Sequence, residues 1–372
     1  MNTSVSDESL QISNAVNRLL SKEYTAAQRT QALSEPSGTV PGIWKQLAGM
    51  GVLAMPVPEQ YGGFNTEPAD SLPVFREYGS ALLVAPWLSH MLGLIAIRHA
   101  GSSTQKERYL AAAAQGIITL GYAINDAYDI AEALDDATLR DLPTYQQKRV
   151  SGVRRCVLYG DTADHVIVDA VDASTRQPLL LIVDTKASGI RHDAYRMTDG
   201  SFAHDVYFDD VEAEELGDAT DSHGATRQLI QEIGIAALAY ETLGIVEETF
   251  EQTVNYLNVR KQFDQPLARY QAVQHRAAEM FVKLEQIRSM AQHAARMLSE
   301  PDSAKRAYGL SQVKLLIGRY GKWITQQAIQ LHGGIGMTDE HMIGHFYKRM
   351  LMIDQTFGSE RHHLRALAST VA

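Results

Sequence analysis

Two short segments carry residue types suited to holding a multiply charged anion. The first reads Arg260-Lys261-Gln262-Phe263-Asp264-Gln265-Pro266-Leu267; the second, about seventy residues on, reads Gln330-Leu331-His332-Gly333-Gly334-Ile335-Gly336-Met337. Arg260 places a permanently charged guanidinium at the end of a long helical pattern, and its planar fork of donors matches a phosphate. Gly333 and Gly334 follow a second helical pattern, and their lack of Cβ lets backbone amides approach a ligand closely. Together the segments suit a pyrophosphate. Taken singly, each has an ordinary structural reading: Arg260 as a charge complementing a helix dipole, the glycine pair as a C-cap turn.

The elements that must position these segments fall into three blocks. Residues 1–116 show apolar positions spaced by threes and fours, interrupted by Pro56, Pro58 and Gly62-Gly63, and predict helices. Residues 117–218 change period. Runs at Ile117–Ile124, Val150–Val157, His165–Val171, Leu179–Val183 and His204–Phe208, separated by Gly, Asp and Thr clusters, predict the strands of a small barrel or sandwich. Residues 219–372 return to helical spacing. Leu229, Ile233, Ala236, Tyr240, Leu243, Phe250, Val254 and Leu257 form one narrow seam broken only at Glu247; Val273, Ala277, Met280, Leu284, Ile287 and Ala291 form a second, and Leu310, Val313, Ile317, Tyr320 and Ile324 a third. Seams of this kind predict a helical bundle.

Composition bounds the function. A chain of 372 residues, 45% hydrophobic and 21% charged, can bury large cores in two or three domains. A net charge of -10, with no Lys/Arg block, disfavours a nucleic-acid surface. The single cysteine, Cys156, excludes an internal disulfide framework and a cysteine-based zinc site. The start Met1-Asn2-Thr3-Ser4-Val5-Ser6-Asp7-Glu8 lacks the order of a secretory signal, and no uninterrupted apolar run reaches membrane-span length, so a cytoplasmic setting is the expectation. His362-His363 has no carboxylate or cysteine at ligand spacing, and no metal site is expected. Met337, Met342, Met350 and Met352 read as adaptable core, and His332 as a helix-terminal side chain meeting a carbonyl.

The two anion-suited segments resemble the paired flavin-binding motif of the acyl-CoA dehydrogenase family. Trp44-Lys45-Gln46-Leu47-Ala48-Gly49-Met50-Gly51-Val52-Leu53, Val57-Pro58-Glu59-Gln60-Tyr61-Gly62-Gly63 and Gly101-Ser102-Ser103-Thr104-Gln105-Lys106-Glu107-Arg108-Tyr109-Leu110 are similar to its amino-terminal helical domain. Tyr270–Met280 and Gly333–His341 resemble the bacterial branch that includes pimeloyl-CoA dehydrogenase small subunits and steroid side-chain dehydrogenases. The resemblance implies an α+β multidomain fold: a helical domain, a small middle β-barrel and a helical bundle. It also implies FAD as cofactor, an acyl-CoA thioester as substrate, and an electron-transferring flavoprotein as acceptor. The residues matching those that grip the ADP half of FAD are Arg260, Gln262, Phe263, Leu267, Gln271, Gln330, Gly333 and Gly334.

The catalytic half departs from the family pattern. Members abstract an α proton with a carboxylate while a hydride leaves the β carbon for the flavin; a buried apolar site suits such a base by raising its pKa. The commonest base position matches Phe357 here, and the alternative, on the helix before Arg260, matches Gly234. Neither accepts a proton. Glu232 flanks the second position, and Glu241 shares a small-residue face with Ala237 and Gly244 that could admit a ligand; both also read as ordinary helix carboxylates, one solvated and one paired. The family's acidic Thr-Glu-Pro-Gly loop matches Ala123-Ile124-Asn125-Asp126-Ala127-Tyr128, and its flavin-stacking Trp falls within Arg155-Cys156-Val157-Leu158-Tyr159-Gly160, which has none. In this family the flavin lies between subunits, so an intact adenine half and a degraded ring half imply a heteromeric enzyme whose second acyl-CoA dehydrogenase-like subunit supplies the base. A homomeric enzyme using Glu241 or Glu232, and a flavin-free scaffold, are the alternatives.

Overall fold

The described part of the chain begins with helices α1 (Asp7–Glu23), α2 (Ala26–Ser34), α3 (Pro41–Gly49), α4 (Leu72–Ala81), α5 (Trp87–Ala100) and α6 (Ser103–Ala114). The computed structural model describes residues 6–35, 40–123, 142–217 and 222–369. Capping chemistry sets the starts: Thr25 with Gln28, and Ser102 with Gln105, each form a reciprocal capping box. The Pro/Gly turn after α3 needs its glycines, because a Cβ on Gly63 would lie 2.0 Å from the carbonyl oxygen of Val57. Gln105 also reaches out of its helix, and its Nε2 donates to Glu214 Oε1 at 2.9 Å and to the Glu215 carbonyl at 2.8 Å, tying this domain to the next.

Strands β1 (Leu120–Tyr122), β2 (Thr144–Gln146), β3 (Arg149–Leu158), β4 (His165–Asp172), β5 (Pro178–Asp184), β6 (Ile190–Arg196), β7 (Phe202–Glu212) and β8 (Glu214–Glu215) form one sheet. Its order is β6-β7-β3-β2-β4-β5-β8, with β1 added parallel to β4. Val150, Val157, Val168, Leu181, Val206 and Phe208 belong to its own apolar core. Four of the five runs with alternating or continuous apolar residues lie in strands; of Ile117–Ile124 only Leu120–Tyr122 is strand, and Ile124 lies outside the described residues. β6 was not anticipated, because Ile190–Arg196 is a largely exposed edge strand with little apolar pattern. Its register comes from β7, and Arg191 and Arg196 lie over the rings of Tyr207 and Phe202 at 3.8 and 4.5 Å.

The carboxy-terminal block holds α7 (Ser222–Val259), the hairpin strands β9 (Lys261–Gln262) and β10 (Gln265–Pro266), α8 (Gln271–Met297), α9 (Ser303–His332), α10 (Met342–Gln355) and α11 (Glu360–Ser369). The seams on α8 and α9 bury Met280, Leu284, Ile287 and Ala291, and Leu310, Val313, Ile317 and Ile324. α7 departs from its expected narrow seam: every residue from 232 to 246 is buried. The reason is position, since α7 is packed by α4, α5, α8, α9 and α10 at once. Its apolar stretch has the length and hydropathy of a membrane span, yet 89% of that window is buried inside the protein, as in a core helix.

The small residues of α7 serve that packing. A Cβ on Gly244 would stand 1.9 Å from the carbonyl oxygen of Arg76, and a Cβ on Gly79 would stand 2.0 Å from that of Glu241. The Gly244 face expected to admit a ligand is therefore occupied by α4, backbone against backbone. We expect Gly244→Ala to lower the melting temperature steeply. The clash is with main chain, which cannot turn aside, and overpacking of this kind costs about 1–3 kcal/mol or more. An unchanged melting temperature would contradict the close crossing.

Lys314 is wholly buried in α9 and its ammonium donates to three carbonyls, those of Ile353 (2.8 Å), Asp354 (2.9 Å) and Gly358 (2.9 Å). It thereby fixes the turn in which Phe357 takes a φ of +58°. Burial lowers the Lys314 pKa to about 7, against the opposing pull of Asp354. From about pH 7 upward to the unfolded value the unfolded chain holds a proton that the native chain releases, so this group favours the fold more as pH rises. The melting-temperature difference between wild type and Lys314→Met should widen from pH 7 to about 9. A difference independent of pH would show that Lys314 stays charged.

Candidate functional site

The segment after α7 is a two-residue hairpin. Gln265 pairs with Gln262 and Pro266 with Lys261, and the turn residues Phe263 and Asp264 both take positive φ, +51° and +66°, as such turns require. Tyr270 holds it by donating its hydroxyl to the Gln262 carbonyl at 3.0 Å. Leu267 donates its amide to the Arg260 carbonyl at 2.9 Å, closing the loop. The guanidinium of Arg260 has no hydrogen-bond or ion-pair partner among the described residues, and Phe263 is 89% exposed at the tip.

The second motif lies close by. Tyr256, one turn before Arg260, stacks on His332 with ring centroids 4.4 Å apart and donates its hydroxyl to the His332 carbonyl at 3.3 Å. His332 Nδ1 meets the Ala328 carbonyl at 2.8 Å, the helix-terminal role expected of it. Gly333 ends α9 with φ +67°, and both Gly333 and Gly334 face open space that a Cβ would enter without contact. These features fit an anionic group: a free guanidinium, two uncovered glycine backbones and a link between the helix ends that carry them. Gln262, Gln271 and Gln330 are exposed around the same place, with Leu267 half-buried. Val259, Ile335 and Met337 are exposed there too, and Met337, at 77%, is not the core residue expected of it.

The two base positions meet face to face. Phe357 is 2% exposed, and a Cβ built on Gly234 would stand 2.3 Å from its ring carbon Cε2. The phenyl ring occupies the volume that a side chain at 234 would need, and no proton acceptor is present at either place.

Family models for the "Acyl-CoA dehydrogenase, N-terminal domain" and the "Acyl-CoA dehydrogenase, C-terminal domain" match residues 6–117 and 233–372. This chain belongs to the acyl-CoA dehydrogenase family. Acyl-CoA dehydrogenase FadE28 of Mycobacterium tuberculosis is 26% identical over 88% of the chain and 91% of its own length. Acyl-CoA dehydrogenase IpdE2 of Mycolicibacterium smegmatis is 25% identical over 99% of the chain and 100% of its own. Among solved structures, a variant of the Tcur3481-Tcur3483 steroid ACAD superposes with a TM-score of 0.87 at 22% identity, covering 99% of this chain and 98% of that one. The ChsE4-ChsE5 complex from Mycobacterium tuberculosis gives 0.86 at 18%, covering 100% and 99%.

The two fallback carboxylates of this acyl-CoA dehydrogenase are both buried and paired. Glu232 is buried and accepts from Arg306 Nε at 2.8 Å and from Gln228 Nε2 at 3.0 Å, so it is paired rather than solvated. Glu241 accepts a fork from Arg349, Nε at 2.6 Å and Nη2 at 3.1 Å, while Arg349 Nη1 donates to Asp199 Oδ2 at 3.1 Å. Burial opposes the charge on Arg349, but Glu241 and Asp199 outweigh it and hold its proton more tightly than usual. The triad joins α7, α10 and the β6–β7 turn. It also lines a cavity of about 60 Å³ between the helical and β domains, with Tyr159 and Leu158 on one wall and Leu82, Val84 and Leu88 on another.

In the segment that the sequence resemblance matches to the family's flavin-stacking Trp, the chain has a kink. Cys156 and Tyr159 both take φ +56° and the β3–β7 ladder slips between Arg154 and Val157. The Ile124–Tyr128 stretch matched to the acidic loop lies outside the described residues. Sequence reasoning missed Asp199, Lys314 and Arg349, whose partners stand up to 150 positions away along the chain, and the buried Arg29. For Lys314 the only sequence signal was a charge on the apolar seam side of a helix; Asp199, in the β6–β7 turn, and Arg29, in a largely polar helix, gave none.

Proposed function

We propose that this chain is one subunit of a heteromeric, FAD-dependent acyl-CoA dehydrogenase. In this reading it helps hold FAD through Arg260, Gln262, Phe263, Leu267, Gln271, Gln330, Gly333 and Gly334, while a second acyl-CoA dehydrogenase-like chain supplies the base. The reaction is α,β-desaturation of an acyl-CoA thioester, with an electron-transferring flavoprotein as acceptor. The observation that carries the reading is the contact of Phe357 with Gly234: both base positions converge on a packed ring. FAD, when bound, supplies the hydride acceptor; this chain's residues bind and orient it. The exposed Phe263, Val259 and Met337 beside Arg260 and the glycine pair support a site completed by a neighbour. A relative assembled as a ChsE4-ChsE5 complex supports a two-chain assembly.

Flavin stoichiometry tests this. The chain alone should retain little FAD. Co-expressed with its partner it should give an equimolar complex, closed as a dimer of heterodimers, with about one FAD per heterodimer that is bleached by a matching acyl-CoA. A homotetramer with one FAD per protomer, reduced by substrate, would establish the homomeric enzyme instead. Within the complex, Arg260→Ala should weaken flavin retention about tenfold or more, since a charge-assisted contact contributes roughly 1.5–3 kcal/mol, and leave the melting temperature of the apoprotein unchanged. Flavin absorbance after gel filtration reads the first and a thermal melt the second; undiminished retention would remove Arg260 from the site.

A further inference from the structure

The link between the two anion-suited segments is a run of three rings. Tyr256, near the end of α7, stacks on His332 with centroids 4.4 Å apart and planes 21° from parallel, and His341 lies 4.8 Å from His332. Each ring belongs to a segment that frames the site. Tyr256 precedes the Arg260 hairpin, His332 precedes Gly333-Gly334, and His341 caps α10, its Nδ1 accepting from the Ile343 amide at 3.3 Å. The glycine turn folds back on the same rings, since a Cβ on Gly336 would stand 3.0 Å from the Cβ of His332. Both imidazoles are placed to be uncharged. His332 Nδ1 faces the Ala328 carbonyl and so carries the proton, which leaves Nε2 a bare lone pair, buried and without a partner. A second proton there would find no acceptor. His341 must keep Nδ1 unprotonated to accept the cap. Burial disfavours the charged form of both rings and holds each below its usual pKa, although the Ala328 carbonyl pulls His332 the other way. No carboxylate among the described residues counters this: Asp339 is paired with Lys348 at 2.8 Å, the Asp339 carbonyl meets His345 Nε2 at 2.9 Å, and neither Arg260 nor the exposed Glu340 is hydrogen-bonded to either ring.

We propose that Tyr256, His332 and His341 are positioning residues for bound FAD, holding the Arg260 guanidinium and the Gly333-Gly334 backbone at one separation, and that they do so only while both imidazoles are uncharged. The proposal rests on the reading of Arg260 and the glycine pair as FAD contacts. An anion gripped from two helix ends at once depends on the distance between those ends. The stack spans them, with the Tyr256 hydroxyl on the His332 carbonyl at 3.3 Å as its second tie. Protonating His341 removes the cap that starts α10, and protonating His332 strands a buried donor inside the stack. Either change loosens the glycine turn. A histidine that simply bound phosphate would act in the opposite sense, because its added charge would hold the pyrophosphate more tightly in acid. The sign of the pH response therefore separates positioning from direct phosphate binding.

Release of FAD from the assembled, flavin-loaded protein, followed by the fluorescence of free FAD from about pH 8 to about pH 5.5, tests this across the range in which histidine titrates. Wild type should release FAD about tenfold faster at the acid end, the scale set by losing one helix cap or stranding one buried donor. His341→Asn keeps a cap acceptor that does not titrate, and His332→Phe keeps a ring on Tyr256 with nothing to protonate, so the double variant should release FAD at one rate throughout. Tyr256→Phe loses only the hydroxyl tie and should release FAD faster at every pH with the acid response intact. The proposal is overturned if wild type holds FAD equally well, or better, in acid, if the double variant responds to acid as wild type does, or if Tyr256→Phe releases FAD at the wild-type rate. A thermal melt at the alkaline end checks that the double variant folds; if it does not, His341→Asn alone must blunt the acid response for the proposal to stand. Arg260→Ala separates this result from the cofactor reading: undiminished retention there removes the site itself, whereas weakened retention beside a wild-type acid response in the double variant removes only the stack.

Discussion

Replacing Arg349 by leucine is expected to destabilise the chain by about 3–5 kcal/mol, because it strands two buried carboxylates that share one guanidinium. Glu241 receives that guanidinium at 2.6 and 3.1 Å and Asp199 at 3.1 Å, and all three come from different parts of the chain. The cost should fall when the charge left behind is removed as well: Arg349→Leu with Glu241→Leu should be less destabilised than Arg349→Leu alone, since truncating one member of a buried pair is worse than replacing both. Denaturant titration of the single and double variants measures this. A single variant within about 1 kcal/mol of wild type would mean the triad is solvated enough to matter little. The same residues bear on chemistry. In the two-chain enzyme Glu241→Gln should leave turnover essentially unchanged, whereas for a homomeric enzyme with Glu241 as base it should abolish it.

How much of this was legible in the sequence depends on the range of the interaction. The segments at Arg260 and Gly333-Gly334 drew notice because their information is local, a charge at one helix end and a glycine pair at another; the hairpin turning at the adjacent Phe263 and Asp264 was not anticipated. Strands with apolar inner faces were readable for the same reason, while β6, an exposed edge set by its pairing with β7, was not. The helix seams were found but the role of α7 was understated, because a helix surrounded on all sides has no stripe to detect. Polar partners were the least legible. Glu232 and Glu241 could be noticed as acids on an apolar helix, but that Arg306 and Arg349 meet them is a property of the packed bundle. The reading of the Gly244 face as open to a ligand failed on the same point: a small residue allows either a ligand or another backbone to come near, and here it is α4.

The contact between Phe357 and Gly234 yields the sharpest expected result. Phe357→Glu in the isolated chain should give no dehydrogenation of acyl-CoA and a protein less stable by about 3–5 kcal/mol, the range for removing a buried aromatic ring. Position 357 is the one that the sequence resemblance matches to the family's usual base, so on that match the failure would not come from misplacement along the chain. It would come from surroundings built for a phenyl ring: the side chain is almost wholly buried, the turn is fixed by Lys314, and the flavin-stacking Trp is missing from β3. Gly234→Glu should be worse by itself, because its Cβ would have to enter the ring at 2.3 Å. Pairing Gly234→Glu with Phe357→Ala removes that collision and should recover part of the lost stability, again without activity unless a complete ring pocket is present. Stability from denaturant melts and turnover with an artificial electron acceptor are measured on the same three proteins. Robust dehydrogenation by Phe357→Glu alone would show that the ring pocket in this chain is complete, and the base-lacking subunit would then have to be given up for an enzyme silenced by one residue.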